Sequence, residues 1–545
     1  MKNHLTLWVS ALSFLTALAS PLRSASQQRP DRQNTASEVE STRSAPPDLT
    51  SYVRRAIPQD YAPGGKPALP LARILGTPVF PGVYLADAVV NNTDPNLKNT
   101  DTFNDTEPSL AVNPATCGES LPLRYRRGCL EIVLLAFSGG WDGQGSFAPL
   151  WLSTNGGTLW TKEFTIPIPP NAPNANGCPC DQTPDYGKAN QMSATFLVGN
   201  SNDGYNVFSG TTSNPDNGAQ WNWLISGGVA QPTNSYGDDN ADQPWLLVNR
   251  DPDNQEQNDV YVDYDDFSGA PDMRVAVAYG TDPPNFTTDS LEGFSTGGIN
   301  PGHRLAVDHR NGAVYSLFQR CLGNCTSPKN INYILNRSMD GGLTWLLNGS
   351  PTGVVVATGQ STQPTPKFGT VNALLGGVDH LALDPSTGDV YVVYGNRDPN
   401  TGNNRLSIVR LTDDGKGGLN IGEPSFVTGQ VQAALPSVAV AEDIRGAVGV
   451  LYDTFDGIDG SGYPTFSAHL AISVDHGTTF HDVTLETFLS PATDNGNARQ
   501  RVLGDYHQLK SVGNGFYGVF TGNGVPFGRP YSNTDPIFFK TSVRQ

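Results

Sequence analysis

The sequence predicts an all-β fold, a β-propeller of four-stranded blades, on three observations. Chain breakers are dense, one eight-residue turn recurs three times, and one strand-opening pattern recurs around it. Of 545 residues, 59 are Gly and 42 are Pro, nearly a fifth of the chain. That density leaves little room for long helices and suits short strands joined by turns. Hydrophobic residues make up 37% and aromatics 9%, enough to build a core. The formal net charge of −18 repels phosphate backbones and anionic lipid, which argues against nucleic acid or a membrane surface as partner.

Taken in order, the N-terminus comes first. Lys2, the apolar stretch Leu5–Leu18 and the Ala17-Leu18-Ala19 cleavage pattern read as a secretory signal peptide over residues 1–19. Residues 20–69, rich in Ser, Gln, Arg and Pro without a period, read as a linker or partly ordered arm. Residues 70–545 form the propeller domain. The expectation is a secreted protein, extracellular or periplasmic, and a monomer. Six cysteines suit export. They fall in three close pairs, Cys117 with Cys129, Cys178 with Cys180, and Cys321 with Cys325, and local pairing is the economical reading.

The recurring turn is Ser153-Thr-Asn155-Gly-Gly157-Thr-Leu-Trp160, then Ser338-Met-Asp340-Gly-Gly342-Leu-Thr-Trp345, then Ser473-Val-Asp475-His-Gly477-Thr-Thr-Phe480. The Asp or Asn side chain accepts backbone N–H bonds within its own turn, and the Gly two residues on takes a positive φ. The aromatic packs back into the core. Thr412-Asp413-Asp414-Gly415 is a degenerate fourth copy. Strand openings recur at Glu107-Pro-Ser-Leu-Ala-Val112, Asp242-Gln-Pro-Trp-Leu-Leu-Val248, His303-Arg-Leu-Ala-Val-Asp308, Asp379-His-Leu-Ala-Leu-Asp384, Leu435-Pro-Ser-Val-Ala-Val440 and Gly504-Asp-Tyr-His-Gln-Leu509. The units begin near residues 107, 191, 242, 303, 378, 435 and 503, which gives seven blades, with six the alternative. The strand-like Val79–Val90 is placed to complete the last blade and close the ring.

In a propeller the innermost strands run along the axis, so their openings converge on one mouth. Glu107, Asp242, His303 with Arg304, Asp379 with His380, and Asp505 with Tyr506 and His507 all occupy that register. Such a ring can supply a general acid, a general base and a nucleophile. It can equally hold a divalent cation, or simply plug the channel with paired polar groups. No cofactor is required. Calcium enters only through acidic loops such as Asp251-Pro-Asp253-Asn254 and Asp453–Asp459, and no metal ligand set is assigned.

The eight-residue turn matches the Asp-box, or bacterial neuraminidase repeat, so the chain resembles the sialidase-like propeller superfamily over roughly residues 107–545. In that superfamily the turn lies on the blade periphery, away from the axial site. The resemblance implies a Tyr nucleophile assisted by a carboxylate, an Asp acid/base and a clamp of Arg residues on an anionic group. Asp505-Tyr506-His507-Gln508-Leu509 resembles the element carrying the nucleophile, with His507 where Ser is usual. Tyr506 is then the nucleophile and Glu107 or Asp242 its activating carboxylate. Asp379 or Asp505 is the acid/base, and Arg304 and Arg501 bind the anionic group, with His303, His380 and His507 beside the substrate. The function expected is a secreted glycoside hydrolase acting on a glycan or polysaccharide. The alternatives are a propeller that only binds carbohydrate or protein, and a polysaccharide lyase.

Overall fold

Ile132-Val-Leu-Leu-Ala136 is apolar at every position rather than alternating, and all five side chains are fully buried. A strand reads this way when both faces of its sheet are covered. Here each blade lies between two others. The computed structural model describes residues 72–74, 83–90, 104–118, 128–138, 148–172, 179–187, 190–200, 204–234, 240–254, 256–268, 272–280, 282–294, 303–322, 330–360, 379–414, 418–427, 432–493, 502–524 and 534–543. The signal-peptide and arm assignments, Arg501, Cys178 and Cys325 lie outside the described residues.

Seven antiparallel sheets make up the ring. Blades 1 to 7 open with the innermost strands Asp105–Val112, Cys180–Tyr186, Ala241–Arg250, Arg304–Asp308, Asp379–Leu383, Ala433–Val440 and Gln508–Val512. Each innermost strand touches the innermost strand of the next blade, and the seventh touches the first. In blades 1 to 6 the chain runs outward through a meander of four strands. Blade 7 is built from both parts of the chain. Strand Asp535–Val543 pairs with Val83–Val89, which pairs in turn with Ala72–Ile74. The seven-blade count and the closing strand expected from the sequence are therefore observed. One boundary differs. Blade 2 opens at Cys180, and the expected start near residue 191 is its second strand, Met192–Gly199.

The core lies between blades. Phe516, Phe520 and Phe539 of blade 7 pack on Leu451, Leu470 and Ile472 of blade 6, and Tyr517, Val519 and Phe538 pack on Leu134 and Trp151 of blade 1. Trp221 and Trp223 belong to the core of blades 1 and 2, with ring centroids 5.9 Å apart and both edge-on to Phe196.

The three turns form as their chemistry dictates. Ser338 Oγ accepts from Gly342 N at 2.8 Å, and Asp340 Oδ1 accepts from Thr344 N at 2.9 Å. The Asn155 and Asp475 turns repeat the pattern. Gly157, Gly342 and Gly477 have φ of 83°, 92° and 77°, where a Cβ would be strained. Each turn joins the third strand of its blade to the fourth and leans on the preceding blade. Lys540 Nζ of blade 7 donates to Gly156 O, Tyr279 Oη of blade 3 donates to Gly341 O, and Tyr391 Oη of blade 5 meets His476 Nδ1. Asp413, in the degenerate copy, takes hydrogen bonds from Tyr315 and Arg337 of blade 4. The turns are therefore peripheral locks between blades.

Cys117 and Cys129 form the expected disulfide. Cys180 is also disulfide-bonded.

Candidate functional site

The innermost strands of blades 1, 2, 3 and 6 each carry a β-bulge near their start. The residue at the bulge takes a left-handed conformation: Glu107 at φ 51°, Asp181 at 47°, Gln243 at 43° and Leu435 at 55°. Non-glycine residues rarely sit there, and bulges re-aim side chains. Three of the four are followed by proline, at Pro108, Pro244 and Pro436. The true counterpart of Glu107 in blade 3 is therefore Gln243, one residue past the Asp242 that the sequence register aligned with it. The shared x-Pro pair was the signal. Asp181 escapes the sequence register altogether, because that register starts blade 2 near residue 191 and the strand opens at Cys180.

Four carboxyl groups gather around these bulges. Asp181 hydrogen-bonds the side chains of Glu107 and Asp242, and the Gln243 backbone N–H donates to Asp242 Oδ1 at 2.9 Å and also faces Asp181. Gln243 Nε2 donates to Asp505 Oδ2 at 3.1 Å, and Gln182 Nε2 donates to the Glu107 carbonyl at 2.9 Å. Gly504 brings blade 7 against blade 1. A Cβ there would lie 2.3 Å from Glu107 Cγ, so the close approach requires glycine. Burial, then the charges of Asp181 and Asp505, push the Glu107 carboxyl well above its ordinary range. Burial and the Asp505 charge push Asp181 up to about 6, with hydrogen bonds from Glu107, Asp242 and Gln243 pulling the other way. Glu107, Asp242 and Asp505 are buried, whereas Asp181 is partly exposed.

Tyr506 links this cluster to a second one. Its hydroxyl donates to the Gln182 carbonyl at 3.2 Å, which also accepts from Ser109 Oγ at 2.7 Å. Burial and the charge of Glu107 hold the phenol protonated, well above its ordinary value. The Tyr506 ring stands edge-on to Trp245, centroids 5.8 Å apart, and His380 meets the same indole at 5.4 Å. The Arg304 guanidinium lies 4.3 Å over Trp245 and 6.0 Å from the Tyr506 ring centroid. Arg304 Nη1 donates to the His303 carbonyl, and Asp379, Asp263 and Asp265 surround its charge. Burial pushes Asp379 up to about 7 against the pull of Arg304 and of Gln319, whose Nε2 donates to it at 2.6 Å. Burial and Arg304 hold His380 neutral, pushed down to about 3. His303 Nε2 bonds Ser316 Oγ at 2.6 Å and lies 3.8 Å from Asp263.

The structure thus brings Glu107, Asp242, Asp505 and Tyr506 together directly, with His303, Arg304, Asp379 and His380 beyond Tyr506 and Trp245. His507 stands apart. Its Nδ1 lies 3.2 Å from Asp453 of blade 6 and its Nε2 accepts from Thr521 N of its own blade, so it ties blade 7 to blade 6. Sequence reasoning missed Asp181, Gln243, Trp245, Asp263 and Asp265. Trp245 reads as an ordinary core aromatic in its strand. Among the described residues no group of three or more His, Cys, Asp or Glu is arranged to hold a metal ion. Among them, too, no helix is long and apolar enough to cross a membrane.

No family model matches this chain, and no curated protein matches it. Solved structures do. A PL25 ulvan lyase, a polysaccharide lyase bound to a glucuronate–sulfated rhamnose fragment, aligns at TM-score 0.45 and 9% identity over 80% of this chain and 93% of that one. An α-L-arabinofuranosidase from Fusarium graminearum aligns at TM-score 0.40 and 12% identity, over 70% and 96%. An α-L-arabinanase from Penicillium chrysogenum in complex with arabinobiose aligns at TM-score 0.37 and 11% identity, over 83% and 97%.

Proposed function

We propose that this protein is a glycoside hydrolase that works at the axial carboxyl cluster. The observation that carries the reading is the hydrogen-bonded pair Glu107–Asp181, whose carboxyls are both raised, with a phenol and two more carboxylates beside them. Glycosidic cleavage needs a proton donor for the leaving oxygen and a second group that attacks the anomeric carbon or activates water. Asp181, partly exposed and raised to about 6, suits the donor. Asp242 and Asp505 are the candidates for the base. Tyr506, its protonated hydroxyl donating to the Gln182 carbonyl, is the candidate nucleophile, and its proton would pass to one of these two carboxylates.

A lyase is the second reading, favoured by one observation: neutral His380, Tyr506 and the Arg304 guanidinium all meet the Trp245 ring. Elimination would use a neutral base and a cation that neutralises a uronate carboxylate.

The test is product analysis of the full-length protein on a panel of polysaccharides. New reducing ends without an unsaturated sugar support hydrolysis, and ultraviolet absorbance of an unsaturated uronate supports the lyase. On a cleaved substrate, Asp181→Asn is expected to lower kcat by roughly 10²–10⁴-fold, the usual worth of a general acid. Activity of the native protein should fall as pH rises through about 6, where Asp181 loses its proton. An unchanged kcat in Asp181→Asn would remove Asp181 from the mechanism.

A further inference from the structure

The charge of the site points to its substrate class. On the hydrolase reading, we propose that the axial site takes uncharged glycans and discriminates against uronate, sialate or sulfated chains. One side of the site holds the carboxyls of Glu107, Asp181, Asp242 and Asp505. On the other side Arg304 already faces Asp379, Asp263 and Asp265 and donates to the His303 carbonyl. Carboxyls therefore outnumber the one guanidinium, which is shared among three of them, and Asp181 and Asp379 add their charge as pH rises through about 6 and about 7. A like-signed cleft with low-dielectric walls focuses its field, so an anionic sugar entering past the partly exposed Asp181 meets repulsion.

Hydrogen-bond chemistry gives the same answer independently. An ionised carboxylate only accepts hydrogen bonds. The amide oxygens Gln182 Oε1 and Gln243 Oε1 are buried beside the carboxyls and accept none. A neutral sugar presents several hydroxyl donors, and hydrogen bonds to charged acceptors are the stronger kind. A ring rich in acceptors is matched by a ligand rich in donors, whereas a carboxylate or sulfate group brings acceptors alone.

The experiment pairs substrates that differ only in charge: a neutral polysaccharide, its C6-oxidised uronate form, and the methyl ester that masks the charge again. Reducing ends are followed at low and high salt. The expected result is kcat/KM at least about tenfold higher for the neutral and esterified chains, the size of one partly screened like-charge contact. The gap should narrow as salt rises, and Asp242→Asn should narrow it further. Equal or faster hydrolysis of the uronate form would overturn the charge inference and leave the hydrolase reading standing. Should neither chain yield reducing ends, the hydrolase reading fails. Calorimetric titration of neutral and uronate oligosaccharides into the native protein then reads the charge preference on its own, and tighter uronate binding would overturn it.

Discussion

Glu107 and Asp181 show what a single backbone irregularity does for a side chain. A left-handed residue at a bulge costs free energy, of order 1–3 kcal/mol, and here it aims two carboxyls at each other. Their raised pKa values have a thermodynamic consequence. A carboxyl raised in the folded state binds its proton more tightly there than in the unfolded chain, where it titrates at about 4. Its contribution to stability is therefore present at low pH and is lost as pH rises towards the folded value. The neutral buried histidines His380 and His507 act oppositely below about 6.5, since only the unfolded chain protonates them there. A single-site difference isolates the carboxyl. Glu107→Gln, which mimics the protonated form, should melt increasingly above the native protein as pH rises from about 5 to about 8. A pH-independent difference in melting temperature would show that Glu107 is not raised. Residue identities at this scale were largely legible, because Glu107, Asp505, Tyr506 and Arg304 all open strands in recognisable repeats. Asp181 was not, because Cys180-Asp-Gln-Thr-Pro-Asp-Tyr186 offers too few apolar residues to announce a strand.

Among the elements, the eight-residue turns were the most legible, since each fixes its hydrogen bonds within its own sequence. Their role between blades was not legible, because the partners Lys540, Tyr279 and Tyr391 are distant in the chain. Asp340→Ala removes acceptors for Ser338 Oγ and for Thr344 N and Oγ1. It should cost about 1–2 kcal/mol, comparable to losing a cap. Trp345 packs on Tyr261 and Val277 of the neighbouring blade, and Trp345→Ala should cost about 3–5 kcal/mol by opening a cavity. Denaturant unfolding reads both. Activity per folded molecule should stay near the native level in each, because the turns lie on the rim. A selective loss of turnover in Asp340→Ala would place these turns in the site.

At the scale of the whole molecule, the ring depends on a pairing between strands from opposite ends of the propeller domain, legible in the strand-like Val79–Val90 only once the other blades are counted. Val83–Val89 completes blade 7 beside Asp535–Val543 and buries Leu85 and Ala88. Deleting residues 72–90 would expose the edge of Asp535–Val543 and part of the blade 6–blade 7 core. The truncated protein should unfold at a clearly lower temperature and aggregate, as exposed edges do. Coincident melting of native and truncated protein would show that closure contributes nothing.

That same pairing imposes a schedule on biosynthesis. The first closing strand leaves the ribosome roughly 450 residues ahead of its partner, so at 5–20 residues per second the edge that Asp535–Val543 will cover waits open for about 20–90 s. Blades 1 to 6 can form one after another as the chain emerges, each resting on the last. The belt is buckled only at the end, with a tongue made at the beginning.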